Sequence, residues 1–245
     1  MKKRADIRLS ESGLCESLAQ AQRLIMAGKV RIGSDRLIHK ANEMVDADAQ
    51  LSVEKPYPYV SRGAEKLLPA LDKFAPDLKN AIALDIGAST GGFTDLMLQR
   101  GAAKVYAVDV GYGQLDNRLR SDRRVVSMEK VNARNLPSEQ ISEPIDLITA
   151  DVSFISLRKV IPPADPILKS GGLAFLLVKP QFEARRREVG RGGVIRDSTV
   201  RQRCIDEICE FMTAKLGWQC LDVIPSPISG PKGNREFITV FRKPE

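Results

Sequence analysis

The fold is decided by the stretch Leu84-Asp85-Ile86-Gly87-Ala88-Ser89-Thr90-Gly91-Gly92-Phe93-Thr94-Asp95. An apolar strand ends there in an acid, the chain turns on small residues, and a helix is predicted over residues 92–100. Glycines permit positive φ and let a ligand approach the main chain closely. No Lys-Ser or Lys-Thr pair follows the last glycine, as a triphosphate-binding loop would require. The acid beside the turn instead favours a ligand with positive charge and hydroxyl groups, such as S-adenosylmethionine.

A second acid, Asp109, ends the next predicted strand, 24 residues after Asp85. This spacing corresponds to one strand–helix–strand unit, in which the second acid binds ribose hydroxyls. A nicotinamide-type nucleotide fold shares both features. Because the turn lacks the Gly-x-Gly-x-x-Gly spacing of that fold, the pattern favours a methyl donor.

The composition is that of a globular protein, with 43% hydrophobic and 28% charged residues. A net charge of +7 favours an anionic partner, most often nucleic acid, although such a charge also serves solubility. One histidine and four cysteines without a Cys-x-x-Cys pair argue against a zinc site or a His-based triad, so we predict no metal. No apolar run resembles a signal peptide or a membrane span, so we expect a cytoplasmic protein with no membrane partner.

Beyond residue 61 the predicted elements alternate. Strands are predicted at residues 81–85, 104–110, 124–128, 144–151, 172–179, 218–224 and 236–242, and helices at 64–75, 92–100, 114–121, 156–169 and 198–216. This alternation requires a mostly parallel sheet with helices on both faces. The loop between the last two strands is too short for a crossover helix, so these strands should pair antiparallel. The predicted fold class is α/β, with a seven-stranded, Rossmann-like sheet.

Three segments are expected along the chain. They are a small α+β domain at residues 1–54, a linker at 55–62 that two prolines stiffen, and a larger domain at 63–245. The small domain is predicted to hold two short helices and then strands, at residues 7–12, 16–27, 30–32 and 51–53.

Two charged residues end apolar strands of the larger domain, Asp151 and Lys179. In open parallel sheets, ligands bind at the carboxyl ends of the strands, which is where both residues fall. A charge at such a position costs free energy unless it is paired. The pair is therefore either a structural salt bridge or part of a reactive site, in which a buried lysine can take part in proton transfer.

The small domain resembles the alpha-L RNA-binding domain first described in a ribosomal protein. The matching residues are Gly13-Leu14, Ala21-Gln22-Arg23-Leu24-Ile25 and Gly28-Lys29-Val30. In that family a helix pair and the following turn bind folded RNA through basic side chains. The resemblance implies that Arg8, Arg23, Lys29 and Arg31 bind RNA here. A protein-interaction domain is the alternative.

Six motifs, in order, cover nearly the whole chain. They are Ser61-Arg62-Gly63-Ala64-Glu65-Lys66-Leu67, Leu84 to Asp95, Val108-Asp109-Val110-Gly111-Tyr112-Gly113, Asp151-Val152-Ser153-Phe154-Ile155-Ser156-Leu157, Val178-Lys179-Pro180-Gln181-Phe182-Glu183 and Gly230-Pro231-Lys232-Gly233-Asn234-Arg235-Glu236-Phe237. Together they resemble the TlyA family, ribosomal RNA 2′-O-methyltransferases that are also described as hemolysins and have an FtsJ-like catalytic domain. The resemblance implies a class I methyltransferase that uses S-adenosylmethionine and has ribosomal RNA or ribosomal subunits as its partner.

The resemblance also implies the catalytic residues. The Lys-Asp-Lys-Glu tetrad of FtsJ-like sites falls on Lys66, Asp151, Lys179 and Glu236. Lys179 would be the base or would steady the emerging alkoxide, and the acids would orient the lysines. The residues expected to hold the cofactor are Asp85, Gly87, Ala88, Ser89, Gly91, Phe93, Asp109, Asn132 and Asp151.

The segment from Glu183 to Arg203 holds seven arginines against three acids. Because it follows Lys179 directly, it is well placed to bind phosphates beside the site, although a solvated loop has the same composition. In the larger domain we expect RNA contacts from Arg62, Arg185, Arg186, Arg187 and Arg191.

Two other functions compete with methyl transfer. One is a pore-forming hemolysin or cytolysin, and the other is a non-catalytic RNA-binding factor in ribosome assembly that has kept the methyltransferase fold. The sequence contains no long amphipathic alternation that would favour a pore, and it leaves the oligomeric state open.

Overall fold

The computed structural model describes residues 1–54 and 57–245, which separate into two compact units, Met1–Pro58 and Tyr59–Glu245. Lys55 and Pro56 of the predicted linker lie outside the described residues. Tyr59 and Val60, which were also assigned to the linker, pack against the core of the larger unit. The exact boundaries at residues 54 and 63 stay predictions.

The small unit contains two helices, α1 (Ala5–Glu11) and α2 (Leu18–Met26). Its strands are β1 (Lys2–Arg4), β2 (Val30–Ile32), β3 (Arg36–Leu37), β4 (Met44–Asp46) and β5 (Leu51–Val53). Strands β3, β2 and β5 form one antiparallel sheet in that order, and β1 pairs with β4 in a second. Strands β1, β3 and β4 were not predicted from the sequence, and two or three residues are too few to show a clear alternating pattern. Strands β2 and β5 are equally short but were predicted.

Local signals explain where α2 begins and ends. The Ser17 hydroxyl accepts a hydrogen bond from the amide of Gln20 at 3.2 Å, which satisfies a donor in the first turn. Gly28 follows the helix with φ +66°, the left-handed conformation that glycine adopts without strain. The helix then buries Ala21 and Ile25 against Leu9 of α1.

The larger unit is built on a seven-stranded sheet. In chain order its strands are β6 (Ile82–Ile86), β7 (Lys104–Val108), β8 (Val125–Met128), β9 (Ile145–Ala150), β10 (Leu168–Val178), β11 (Gln219–Pro225) and β12 (Phe237–Arg242). Their order across the sheet is β11-β12-β10-β9-β6-β7-β8. Strand β12 runs antiparallel to both of its neighbours, β10 and β11, and the other neighbouring pairs described in this sheet are parallel. The predicted fold class is confirmed, including the antiparallel final pair.

The helices of the larger unit differ in part from the prediction. They are α3 (Ala64–Phe74), α4 (Gly92–Gln99), α5 (Asn117–Arg120), α6 (Leu157–Val160), α7 (Pro180–Glu183) and α8 (Ser198–Leu216). The helix predicted over 156–169 was wrong beyond Val160, since residues Pro162–Ile167 form a 3₁₀ helix and β10 begins at Leu168. Proline lacks the amide donor that an α-helix needs, and three prolines fall in this stretch. The helix predicted over 114–121 is confined to four residues.

The sheet is buried on both faces. On β6, Leu84 and Ile86 join one hydrophobic cluster with side chains from α6 and α8, whereas Ala83 joins a second cluster with α3 and α4. This alternation follows from the two-residue period of a strand. Within the described residues no helix is long and apolar enough to cross a membrane.

We predict that Phe175→Ala lowers the free energy of unfolding of the larger unit by about 3–5 kcal/mol. Phe175 is fully buried in β10 and meets the ring of Phe74 edge to face, with ring centroids 6.2 Å apart. Urea unfolding followed by the fluorescence of Trp218, the one tryptophan of the chain, would measure the loss. Tyr112→Ala, at a ring that is 71% exposed, is the control and should change stability by less than about 0.5 kcal/mol. Equal losses in both variants would contradict the prediction.

Candidate active site

The turn between β6 and α4 depends on glycine at position 87. Gly87 has φ +82°, and a Cβ atom there would lie 2.7 Å from the carbonyl oxygen of Asp151. The amides of Gly87 and Ala88 both donate to the carbonyl of Val108, at 2.8 and 3.1 Å, so the turn is fixed to the neighbouring strand. The turn therefore brings its main chain close to the carboxyl end of β9.

A crevice opens at the carboxyl ends of β6, β7, β9 and β10. It has two adjoining parts of about 210 and 320 Å³, which share Gly87, Ser89, Asp151 and Ser153. Sites for small molecules and cofactors measure about 300–1,000 Å³. The residues that line the first part are Ser61, Gly63, Asp85, Gly87, Ala88, Ser89, Thr90, Gly92, Phe93, Asp151, Ser153 and Lys179. The second part adds Asp109, Gln114, Asn132 and Phe154 and a group of aliphatic side chains from Ile86, Val108, Val110, Val131, Val152, Ile155 and Val160.

The two acids at the strand ends have different environments. The Asp85 carboxylate is buried and accepts hydrogen bonds from the hydroxyls of Thr94 at 2.7 Å and Thr149 at 2.9 Å. Burial raises the pKa of Asp85 to about 6, against the opposing effect of these hydrogen bonds. Asp109 is only half-buried and accepts from the amides of Ser89 at 2.8 Å and Gly111 at 2.7 Å. Asp85 thus stabilises the inside of the turn, and Asp109 borders the second part of the crevice.

Four charged side chains from distant parts of the chain meet beside the first part of the crevice. Lys66 lies in α3, Asp151 follows β9, Lys179 follows β10, and Glu236 precedes β12. The Lys179 ammonium is 2.5 Å from one Asp151 oxygen, and the Lys66 ammonium is 3.3 Å from the other. Lys66 also contacts Glu236 at 2.8 Å. The four residues form one chain of alternating charges, which we call the tetrad.

The tetrad is largely withdrawn from solvent and electrically balanced. Glu236 is 1% exposed and Lys179 is 7% exposed. Burial alone would lower the pKa of Lys66, but Asp151 and Glu236 outweigh it and raise that pKa, so Lys66 stays charged. Gly230 leaves room for Glu236, because a Cβ atom at position 230 would lie 2.0 Å from its carboxylate.

Most of the predicted cofactor residues line the crevice. Those that do so are Asp85, Gly87, Ala88, Ser89, Phe93, Asp109, Asn132 and Asp151. Gly91 does not line either part. Its missing side chain instead makes room for α5, since a Cβ atom there would lie 2.2 Å from the Leu119 side chain.

Several residues that line the crevice were not predicted from the sequence. Ser153 is the clearest case, because its hydroxyl accepts a hydrogen bond from the Lys179 ammonium at 2.8 Å. Phe154, the next residue, has φ +62° and a side chain that is 91% exposed. Both lie in the motif that begins at Asp151, and this adjacency to a predicted catalytic residue was the available signal.

The arginine-rich segment is tied to the rest of the larger unit. Asn234 is buried, accepts from the Ile195 amide at 3.0 Å and donates to the Gly193 carbonyl at 2.9 Å. Because Asn234 lies two residues before Glu236, the segment is held by the same loop that carries one acid of the tetrad. Arg185, Arg186, Arg187 and Arg191 are located on this segment, and Arg62 lies just before α3.

The basic residues predicted for the small unit reach its surface to different degrees. Arg23 is exposed, whereas Arg8, Lys29 and Arg31 are half-buried. The Arg31 guanidinium donates to the Asp35 carbonyl at 3.3 Å across the turn between β2 and β3.

Comparison with known proteins agrees with this architecture. Residues 59–243 match the FtsJ-like methyltransferase family, and residues 3–36 match the S4 domain. A relative from Mycobacterium tuberculosis, the 16S/23S rRNA (cytidine-2'-O)-methyltransferase TlyA, is 44% identical over 98% of this chain and 89% of its own length.

Solved structures point the same way. A Streptococcus thermophilus protein described as a hemolysin has a TM-score of 0.74 and 40% identity, and the match covers all of this chain and 89% of that one. Aeropyrum pernix fibrillarin, solved with natively bound S-adenosyl-L-methionine, is 20% identical over 75% of each chain with a TM-score of 0.50, which shows the shared fold. The chain therefore belongs to the FtsJ-like methyltransferase family, and within it to the TlyA proteins, with an S4 domain in its N-terminal part.

Proposed function

We propose that the protein transfers a methyl group from S-adenosylmethionine to a ribose 2′-hydroxyl of ribosomal RNA. The observation that carries this proposal is the tetrad of Lys66, Asp151, Lys179 and Glu236 beside a crevice of cofactor size. The relative from M. tuberculosis, named for cytidine 2′-O-methylation, supports the same reaction. The precise roles of the residues are part of the proposal.

The crevice suits the proposed cofactor. Its narrow turn at Gly87 lets a ligand contact the main chain, the Asp109 carboxylate can accept hydrogen bonds from ribose hydroxyls, and the aliphatic second part can cover an adenine ring beside Asn132. S-adenosylmethionine bound there would supply a methyl group on a positively charged sulfur. Asp151 borders both parts and would help to orient the reacting end.

The tetrad is arranged to act on a hydroxyl group. An ammonium has three donors. Lys179 forms an ion pair with Asp151 and donates a hydrogen bond to the Ser153 hydroxyl, so it can also donate to the oxygen of the ribose. As an ammonium it balances the negative charge that grows on the oxygen during methyl transfer. To act as the base instead, the same nitrogen would have to reach the hydroxyl as a neutral amine with a free lone pair. Glu236 holds Lys66, Lys66 holds Asp151, and Asp151 in turn fixes Lys179. Alignment of hydroxyl and methyl donor supplies much of the rate.

Basic surfaces support RNA as the substrate. The arginines on the segment after Lys179 would bind backbone phosphates, and the S4 domain would add contacts through Arg23 and its basic neighbours. A ribosomal substrate also fits the expectation of a cytoplasmic protein. Naked RNA and assembled subunits both contain the groups that these surfaces would bind.

We predict that Lys179→Ala lowers the rate of methyl transfer by about 10²–10⁴-fold and changes cofactor affinity only slightly, because the side chain acts at the hydroxyl. The assay uses tritium-labelled S-adenosylmethionine and ribosomal subunits or extracted ribosomal RNA from cells that lack the gene. Lys169→Ala, at a lysine that is paired with Asp146 and lies at the opposite end of β10, is the control and should keep full activity.

Three results would count against this function. Full activity of Lys179→Ala would remove that residue from the mechanism. Tight RNA binding without methyl transfer by the unaltered protein would favour the assembly-factor alternative. Lysis of red cells by the pure protein, unchanged in Lys179→Ala, would favour the hemolysin alternative.

We predict that Asp109→Ala weakens S-adenosylmethionine binding by about 10-fold or more, the value of a hydrogen bond to a charged group. Isothermal titration would measure the dissociation constant. Asp122→Ala is the control, since Asp122 also accepts a hydrogen bond from a backbone amide, in addition to one from the Arg124 guanidinium, but precedes β8 at the end away from the crevice. Equal affinity in the two variants would exclude Asp109 from the cofactor site.

We predict that the triple change of Arg185, Arg186 and Arg187 to Ala weakens RNA binding and makes it less sensitive to salt. The slope of log affinity against log salt concentration should become shallower by roughly 0.7–0.9 for each phosphate that the arginines no longer neutralise. Binding would be measured by filter retention at several salt concentrations. The control replaces Arg118, Arg120 and Arg124, which carry the same total charge but pair with Asp116, Glu129 and Asp122. If both triple variants bind RNA equally weakly, net charge alone explains the binding.

A further inference from the structure

Two segments of the larger unit contact each other beside the crevice, and each begins with one residue of the tetrad. One is the loop of residues 151–157, which leads from β9 into α6, and the other is the turn of residues 179–183, which leads from β10 through α7. Lys179 contacts Asp151 at 2.5 Å and Ser153 at 2.8 Å. The rings of Phe154 and Phe182 lie 5.0 Å apart. The loop is thus held against the turn at its beginning and in its middle.

A buried carboxylate, Glu183, holds the end of the loop. Its side chain is only 2% exposed. One oxygen accepts from the Leu157 amide at 2.8 Å and the other from the Ser156 hydroxyl at 2.5 Å. Burial raises the pKa of Glu183, while these two hydrogen bonds lower it. A buried carboxylate is costly unless such partners satisfy it, so this contact resists any separation of loop and turn.

The loop has a conformation that needs this support. Phe154 has φ +62°, which is unfavourable for an aromatic residue and persists only when the surroundings enforce it. The first residue of the loop is fixed by the hydrogen bond from the Asp151 amide to the Ile86 carbonyl at 3.0 Å. At the other end α6 has only four residues, and its first amide finds its acceptor in Glu183.

The same loop forms part of the site. Val152, Ser153 and Ile155 line the crevice, and Asp151 and Ser153 both contact Lys179. A shift of the loop would therefore move two partners of Lys179 together. Misplacement of reacting groups by about 1 Å can cost roughly 10²-fold in rate.

We propose that Glu183 is a positioning residue, which sets the distance between Asp151 and Lys179 by anchoring the 151–157 loop to the turn after β10. The consequence for the rate rests on the proposed function, whereas the anchoring itself can be measured without catalysis. Glu183 does not line the crevice and would not touch the substrate.

The first test measures anchoring in the full-length protein. Amide hydrogen exchange at Leu157, followed by NMR, should accelerate at least about 10-fold in Glu183→Ala, because the amide loses its acceptor. In Glu183→Gln the rate should stay near that of the unaltered protein, since the side-chain amide can accept from the Leu157 N–H and donate to the Ser156 hydroxyl. Unchanged exchange in Glu183→Ala would overturn the proposal.

The second test measures catalysis with labelled S-adenosylmethionine and ribosomal RNA from cells that lack the gene. We expect kcat to fall by about 10–100-fold in Glu183→Ala, with a smaller change in KM for RNA, and Glu183→Gln to restore most of it. If Glu183→Ala does not fold, Ser156→Ala removes one of the two hydrogen bonds and should give a smaller loss of kcat. Wild-type kcat in every variant would overturn the positioning role. So would a low kcat in Glu183→Gln if the Leu157 amide of that variant still exchanged as slowly as in the unaltered protein.

A matched control separates the anchor from its neighbours. Arg158 lies 3.8 Å from Glu183 and 3.2 Å from Glu207, so Glu207→Gln disturbs the same arginine but leaves the two hydrogen bonds to the loop. We expect kcat of Glu207→Gln to stay at the wild-type value. Because Glu207 also pairs with Arg203 at 2.5 Å, an equal loss would assign the effect to the arginines that Glu207 holds and would overturn the anchoring role of Glu183. If the unaltered protein transfers no methyl group, the proposed function fails, while the exchange test still decides whether Glu183 anchors the loop.

Discussion

The larger unit depends on the mutual neutralisation of four charges at one edge of a buried sheet. Glu236 and Lys179 are almost fully withdrawn from water, where an unpaired charge would cost several kcal/mol. Each is tolerated because an opposite charge lies within 2.8 Å. These four residues come from α3 and from the ends of three different strands, so the pairing requires that all four elements are in place together. Removal of one partner would leave a buried charge unpaired and would lower the free energy of unfolding.

The glycine turn and the tetrad are parts of the same construction. The Asp151 carbonyl lies where a side chain at position 87 would be, so the main chain of the turn packs directly on the residue that links both lysines. Asp85 fixes the turn from inside through Thr94 and Thr149. The cofactor crevice and the charged cluster consequently share one border. This shared border is what allows a methyl donor and a hydroxyl acceptor to be held side by side.

Contacts from outside the crevice hold two of its neighbouring segments in place. Asn234 ties the arginine-rich segment to the loop before Glu236, and Glu183 ties the 151–157 loop to the turn after Lys179. Both use buried polar groups whose hydrogen bonds are satisfied, and such groups favour a single arrangement. The segment that is rich in glycine and arginine is therefore tied to the rest of the larger unit at Gly193 and Ile195.

Much of the fold followed from local patterns in the sequence. Alternating apolar runs indicated the seven strands, the short last connection indicated the antiparallel β12, and strand-end acids and lysines indicated the edge that holds the crevice. The helix predicted over 156–169 was wrong beyond Val160. The prolines there lack the amide donor that an α-helix needs, and the chain forms a 3₁₀ helix instead. Strands β1, β3 and β4 of the small unit were also not predicted, since each carries too few side chains to show a period.

The sequence by itself determined which segments of the larger unit are strands and which family's motifs are present, because both depend on residues that are close together in the chain. Only the tertiary structure decided which side chains meet. Glu183 reaches Leu157 and Asn234 reaches Ile195 across 26 and 39 steps of the chain, and Gly91 makes room for Leu119 of another helix. The physical reason is that packing and hydrogen bonding act over a few ångströms in space, irrespective of distance along the chain.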